Sequence, residues 1–222
     1  MLPPRLLNAI ENPAVSQFFQ IHPDNPQARL ISQTAEIVRE GGVIIYPTDS
    51  GYALGCRLED KEAMERIVQI RRVGKDHNFT LVCRDLSEIA TYAKVSNTSY
   101  RTLKSLIPGP YTFIFSATKE VPKRLLNPKR KTIGIRVPDN RIALDLLDSL
   151  GEPLMSTTLI LPGEEDPLTD PYDMRQTLEH AVDLIIDGGY CGIDATTVVH
   201  MDEEPPRVSR TGLGDSAMFE AG

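Results

Sequence analysis

The chain has 222 residues, 41% of them hydrophobic and 25% charged, and 24 Lys and Arg against 31 Asp and Glu give a formal net charge of -7. That size and composition suit one globular domain around a single core, and no apolar run approaches the roughly 20 residues a membrane span needs. Met1-Leu-Pro-Pro-Arg5 leads into polar residues rather than a secretory signal, and Cys56, Cys83 and Cys191 are too widely spaced for a zinc site. The expectation is a cytoplasmic protein with reduced thiols, no membrane partner and no bound metal.

Residues 1–15 read as a lead-in, 16–215 as a single domain and 216–222 as a tail. Ser16 to Ile21 is a plausible first strand. A helix is predicted next, with Asn25 as its N-cap, Pro26 at its first position, an apolar face of Leu30, Ile31, Ala35 and Val38, and Gly41-Gly42 at its end. Val43 to Tyr46 is a short apolar strand that Pro47 stops. Asp60 caps a helix with Ala63, Met64, Ile67 and Ile70 on one side. Phe79 to Cys83 is a strand, and Asp85 opens the first of two helices that reach to about Leu106. Tyr111 to Phe115 and Thr132 to Val137 are strands around a basic segment. Asn140 caps a helix closed by Gly151, and Pro153 to Thr158 is a strand. After an acidic loop come a helix near Met174 to His180 and strands at Val182 to Ile186, Thr196 to His200 and Arg207 to Arg210. Strands alternating with helices of about a dozen residues indicate an α/β layer fold with a mixed sheet.

Three segments offer chemistry. In Tyr46-Pro-Thr-Asp-Ser-Gly-Tyr-Ala-Leu-Gly-Cys56 a buried strand delivers two hydroxyls, a carboxylate and two glycines to its C-terminal end, where open α/β sheets bind ligands. A plain strand-to-loop turn accounts for the same residues. In Ile70-Arg-Arg-Val-Gly-Lys-Asp-His77, the cations Arg71, Arg72 and Lys75 suit either a helix C-terminus or a phosphate clamp. The run from Lys119 to Arg136 holds seven cations (Lys119, Lys123, Arg124, Lys129, Arg130, Lys131 and Arg136) against Glu120, and is either a solvated face or a surface for phosphates. Neither GxxxxGK[ST] nor GxGxxG occurs, so a nucleotide would be held by another design. His22, His77, His180 and His200 are scattered, and no serine sits in a nucleophile elbow.

Taken in order, these segments, with Pro108-Gly-Pro-Tyr-Thr112, Ile133-Gly-Ile-Arg-Val-Pro138, Asp187-Gly-Gly189, Thr196-Thr-Val198 and Ser209-Arg-Thr-Gly212, resemble the YrdC/YciO family, also called the threonylcarbamoyl-AMP synthase family. The resemblance spans about Ser16 to Gly212, and Phe18-Phe-Gln-Ile-His-Pro-Asp-Asn-Pro26 is similar to the YciO branch. It implies a twisted, mostly open mixed sheet with helices on both sides and a concave basic cleft. It implies an ATP-binding protein, with magnesium on the nucleotide as substrate, related to synthases that join L-threonine, bicarbonate and ATP into threonylcarbamoyl-AMP and pyrophosphate. Double-stranded RNA or tRNA is a further implied partner. Thr48, Arg71, Arg136, Ser156, Thr158, Thr197 and Arg210 fall on cleft positions, with Arg71 and Thr48 the implied catalytic pair. Two positions depart from the synthase pattern. Its Lys-x-Arg becomes Arg71 and Val73, and its Ser-x-Asn becomes Thr158 and Ile160. Losing one well-placed transition-state donor costs about 3–4 kcal/mol, so binding is expected to survive better than turnover.

Overall fold

The computed structural model describes residues 15–74, 77–127 and 129–220, which leaves most of the predicted lead-in and Lys75 outside it. The strands are β1 (Gln17–Gln20), β2 (Ile44–Thr48), β3 (Gly51–Arg57), β4 (Thr80–Val82), β5 (Tyr111–Ser116), β6 (Thr132–Arg136), β7 (Leu154–Thr158), β8 (Leu184–Asp187), β9 (Thr197–His200) and β10 (Arg207–Arg210). The helices are α1 (Ala28–Arg39), α2 (Lys61–Arg71), α3 (Leu86–Tyr92), α4 (Asn97–Leu106), α5 (Arg141–Leu150), α6 (Pro171–Leu178) and α7 (Ala217–Glu220). All ten strands form one mixed sheet in the order β1-β8-β2-β3-β7-β4-β6-β5-β9-β10, so β1 and β10 are its open edges.

Local chemistry sets the helix ends. The side chains of Asp60, Asp85 and Asn140 accept from the backbone N–H groups of Ala63, Glu88 and Ala143, as their positions predict. Gly151 closes α5 in a left-handed conformation at φ 77°. Two expectations fail. Asn25 and Pro26 do not start α1; Gln27 does, because the His22 ring holds the N–H groups of Asp24 and Asn25 in a turn. Pro47 does not stop β2 either. Beyond Ile45 that strand pairs only with β3, so the missing N–H of Pro47 leaves no bond to β8 unmade. Residues 44–57 are therefore a hairpin turning at Asp49-Ser50, not a strand followed by a loop. In the predicted tail, Ala217–Glu220 forms α7, and Phe219 packs on the core.

The two faces of the sheet are unequally covered. On one, Val43 and Ile45, Leu54 and Cys56, Leu81, Phe113 and Phe115, Ile133 and Ile135, Met155 and Ile185 share a continuous core with Ala63, Ile67 and Ile70 of α2, Ile89 of α3, Leu103 of α4 and Met174 and Leu178 of α6. On the other, Ile44 and Tyr46, Ala53, Val82, Leu154, Leu184 and Ile186 pack under Ile31, Ala35 and Val38 of α1 and Ile142, Leu146, Leu147 and Leu150 of α5. Those two helices reach only to β4. Past them the same face lies open.

Candidate functional site

The open half-face is the floor of a cleft of about 800 Å³, within the range that holds small-molecule ligands. Because strand side chains alternate between faces, one residue in two along each strand looks into it. These are Thr80 and Val82 of β4, Thr112 and Ile114 of β5, Thr132, Gly134 and Arg136 of β6, Ser156 and Thr158 of β7, and Val198 and His200 of β9. Hydroxyls stand where a covered strand would carry Val or Ile. Gly134 lies at the centre; a Cβ there would come within 3.3 Å of both the Thr112 methyl and the Thr80 hydroxyl, so glycine keeps the floor flat.

The hairpin turn between β2 and β3 forms one wall. Thr48 donates to the Gly51 carbonyl at 2.6 Å and accepts from the Ser50 N–H at 3.2 Å, a closed turn that aims Asp49 and Ser50 at Arg136. Arg136 donates to Ser50 Oγ at 2.9 Å and forms an ion pair with Asp49, both side chains being only about a tenth exposed. Asp49 in turn accepts from the Asp139 N–H. The charge of Arg136 is thus balanced inside the protein, while its buried Nε has no partner.

Two other arginines are not balanced. Arg210 donates to the Thr196 carbonyl and hydroxyl, both at 3.0 Å, and has no carboxylate partner among the described residues. Burial, and then repulsion from Arg136, lowers its pKa. Arg71 donates from one terminal nitrogen to the Ile160 carbonyl, leaves a buried Nε unpartnered, and is likewise lowered by burial. Beside it, His77 Nε2 lies 2.9 Å from the Thr157 hydroxyl. Burial, with Arg71 second, lowers the His77 pKa and keeps the ring neutral at pH 7. An anion entering the cleft relieves the desolvation cost of both free guanidiniums at once.

Of the residues anticipated from sequence, Thr48, Arg71, Arg136, Ser156, Thr158 and Arg210 line the cleft. The Ser156 hydroxyl is already engaged, donating to the Leu54 carbonyl at 3.0 Å and contacting Tyr46 Oη at 2.8 Å. Desolvation pushes the Tyr46 phenol up to about 12. Thr197 requires correction. It sits on the covered face, fully buried, with its hydroxyl donating to the Gly214 carbonyl and accepting from the Gly212 N–H. Its neighbour Thr196 faces the cleft instead and bonds to Thr112 at 2.8 Å. Arg72 ends α2 in a left-handed conformation, exposed, and does not line the cleft. Ile160 does line it, whereas Val73 packs against the core. The basic run does not make one face. Arg136 is in the cleft floor, Arg124 donates to the Leu58 carbonyl, Arg130 pairs with Glu203, and Lys119, Lys123, Lys129 and Lys131 are exposed. Sequence reasoning missed His77, Thr112, Thr196 and His200; the period-two threonines were the signal that could have found the floor.

The fold that carries this cleft is shared with known proteins. The chain belongs to the Sua5/YciO/YrdC family, whose model, described as "Telomere recombination", matches residues 36–212. It is 60% identical over 205 residues to the YciO protein of Escherichia coli strain K12, covering 92% of this chain and all of that one. The crystal structure of E. coli YciO superposes with a TM-score of 0.88 over 92% of this chain and 99% of that one. Threonylcarbamoyl-AMP synthase of Vibrio vulnificus strain YJ016 is 28% identical over 139 residues, 61% of this chain and 74% of its own. The structure of P. abyssi Sua5 complexed with L-threonine matches in fold, with a TM-score of 0.81 at 24% identity over 89% of this chain and 58% of that one.

Proposed function

We propose that this protein binds ATP in the cleft and retains a weak L-threonylcarbamoyladenylate synthase activity, joining L-threonine, bicarbonate and ATP into threonylcarbamoyl-AMP and pyrophosphate. The observation that carries the reading is the pair of guanidiniums, Arg71 partly buried and Arg210 exposed to the cleft, each without a carboxylate partner among the described residues, lining one cleft with a floor of hydroxyls. Such a cleft is built for an elongated anion. The relationship to a threonylcarbamoyl-AMP synthase supplies the chemistry.

In that reaction the threonine amine joins bicarbonate with loss of water, and the resulting carbamate attacks the α-phosphorus of ATP. A new P–O bond forms as the bond to the β-phosphate oxygen breaks, and pyrophosphate leaves. Three anionic participants have to be held together, so the chain's contribution is positioning and charge neutralisation, with magnesium on the triphosphate sharing the load. Arg210, Thr196 and the Arg136–Ser50 pair are assigned to phosphate oxygens. Arg71 is assigned to the carboxylate and carbamate end, and Thr48 acts through the turn it closes rather than by donating to the substrate. With Val73 turned to the core and Ile160 in the wall, the two positions that depart from the synthase pattern bring neither a cation nor an amide to that end, which accounts for weak turnover beside firm binding.

Incubation with ATP, magnesium, L-threonine and labelled bicarbonate, read by mass spectrometry, tests this. Threonylcarbamoyl-AMP above the enzyme-free control, and lost in Arg71→Ala, supports the reading; no product at any enzyme concentration overturns the catalytic part. A second reading, a non-catalytic protein for double-stranded RNA, tRNA or the ribosome, draws on the exposed Lys119, Lys123, Lys129 and Lys131. RNA held by those lysines dissociates steeply with added salt, whereas a nucleotide in the cleft responds less.

A further inference from the structure

At the outer end of the cleft five charged or titratable side chains meet. Glu203, in the turn between β9 and β10, accepts from Arg207 Nε at 2.7 Å and Arg207 Nη2 at 3.1 Å, and from Arg130 Nη1 at 2.8 Å. His200 Nδ1 lies 3.8 Å from the same carboxylate and 3.2 Å from Asp202. The two arginines hold the Glu203 carboxyl far below its usual range, at about 2, so it is ionised at any working pH. His200, Asp202 and Glu203 present ligand atoms within 4.8 Å of one another, as a metal site would. Two guanidiniums on Glu203 repel a divalent cation, however, and leave that carboxylate no free oxygen. The cluster is built to hold an anion, and Glu203 is the anion it holds.

Arg130, Arg207 and His200 all line the cleft, while Glu203 lines an adjoining hollow that shares Arg207 with it. Arg207 stands three residues before Arg210 on β10, and a bulge between Val208 and Arg210 sets them opposite His200 and Val198, both of which face the cleft. Arginines therefore continue outward from the inner pair, Arg210 and Arg136, to the mouth. Arg130 and Arg207 are each about half exposed, at 53% and 49%, and salt bridges of such groups are weak and exchangeable.

We propose that Arg130 and Arg207 form an outer phosphate subsite at the mouth of the cleft, kept filled by Glu203 until the distal phosphate of a polyphosphate-bearing ligand displaces it. The carboxylate occupies the donors that a phosphate would take, and repels a phosphate arriving from the cleft side. The inference rests on the reading of the cleft as a phosphate-binding site. It adds that ligands with a long phosphate tail are distinguished at the mouth from those with a single phosphate.

Calorimetric titrations of the full chain at low salt with inorganic tripolyphosphate, ATP and AMP test it. Glu203→Gln removes the resident charge and keeps the shape. It is expected to tighten tripolyphosphate and ATP about tenfold, with AMP unchanged and the gain shrinking as salt is added. Arg207→Ala is expected to weaken tripolyphosphate and ATP and again leave AMP alone, and in Glu203→Gln/Arg207→Ala the gain disappears. Unchanged or weaker tripolyphosphate binding in Glu203→Gln, with circular dichroism showing an intact fold, overturns the proposal. Equal effects on AMP and tripolyphosphate also overturn it, since the residues would then act on the whole cleft. Failure of the wild type to bind ATP or AMP while tripolyphosphate still responds to Glu203→Gln would refute the nucleotide reading and leave the outer subsite standing. A gain seen only with an RNA duplex would assign the subsite to a polynucleotide backbone and overturn the small-ligand form.

Discussion

The two halves of one sheet face differ in what the same strands carry. Under α1 and α5, β2 shows Ile44 and Tyr46 and β7 shows Leu154; two to four residues further along, on the same side, come Thr48, Ser156 and Thr158. Both strands keep their pairing with β3 throughout, although β2 has β8 beside it only as far as Ile45. Over the same stretch the cover of α1 and α5 ends, and the side chains follow from apolar to hydroxyl. A site of this kind is made by leaving a strand uncovered, not by adding a loop, and the hydroxyls of Thr48 and Ser156 are tolerated because backbone carbonyls satisfy them.

Breaking the covered half should cost stability and leave recognition intact. Leu146 and Leu147 are fully buried in α5, so Leu147→Ala is expected to lower unfolding stability by about 2–5 kcal/mol in a denaturant titration. The fraction still folded should bind ATP normally. Equal losses of stability and of affinity per folded molecule would mean that the halves are not separable. Arg136→Ala breaks the open half at the one place where it is also structural. It strands Asp49 almost buried without its partner, for an expected loss of about 3–5 kcal/mol together with loss of ligand binding. Arg210→Ala sharpens the contrast, since Arg210 holds no carboxylate. It should leave the unfolding midpoint nearly unchanged while weakening ATP by about 1.5–3 kcal/mol. His77 gives the smallest effect. Its folded pKa lies below the unfolded value of about 6.5, so above that pH the ring is neutral in both states and contributes no pH dependence. As pH falls below about 6.5 the unfolded chain takes up the proton first and native stability declines. His77→Asn should flatten that slope in unfolding curves measured between pH 7.5 and about 5.5.

Much of this was legible in the residues. Asp60, Asp85 and Asn140 announce their helices because a cap is a local bond between near neighbours. Short apolar runs mark many of the strands. What could not be read depends on distant partners. Pro47 looks like a stop, yet it extends a strand because β8 ends its pairing with β2 early enough to leave its side free. Asn25 and Pro26 look like a helix start, yet the His22 ring accepts from the N–H groups of Asp24 and Asn25 and holds them in a turn. At the site, the arginines were legible as unusual cations and the family resemblance placed them. Thr197 was assigned to the cleft in place of Thr196 because neighbouring threonines differ only in parity, and parity is set by register with β5. The open face itself is not written in any one segment. It follows from where α1 and α5 dock, although Thr80, Thr112, Thr132 and Ser156 at inward positions hinted that something other than a core lay above them.

The most direct test of the central claim is calorimetric titration of the full chain with ATP and magnesium, wild type beside Arg210→Ala. Saturable one-to-one binding that Arg210→Ala weakens at least tenfold, with an unchanged unfolding midpoint, is the predicted result. No binding by the wild type, or equal binding by both proteins, would contradict it.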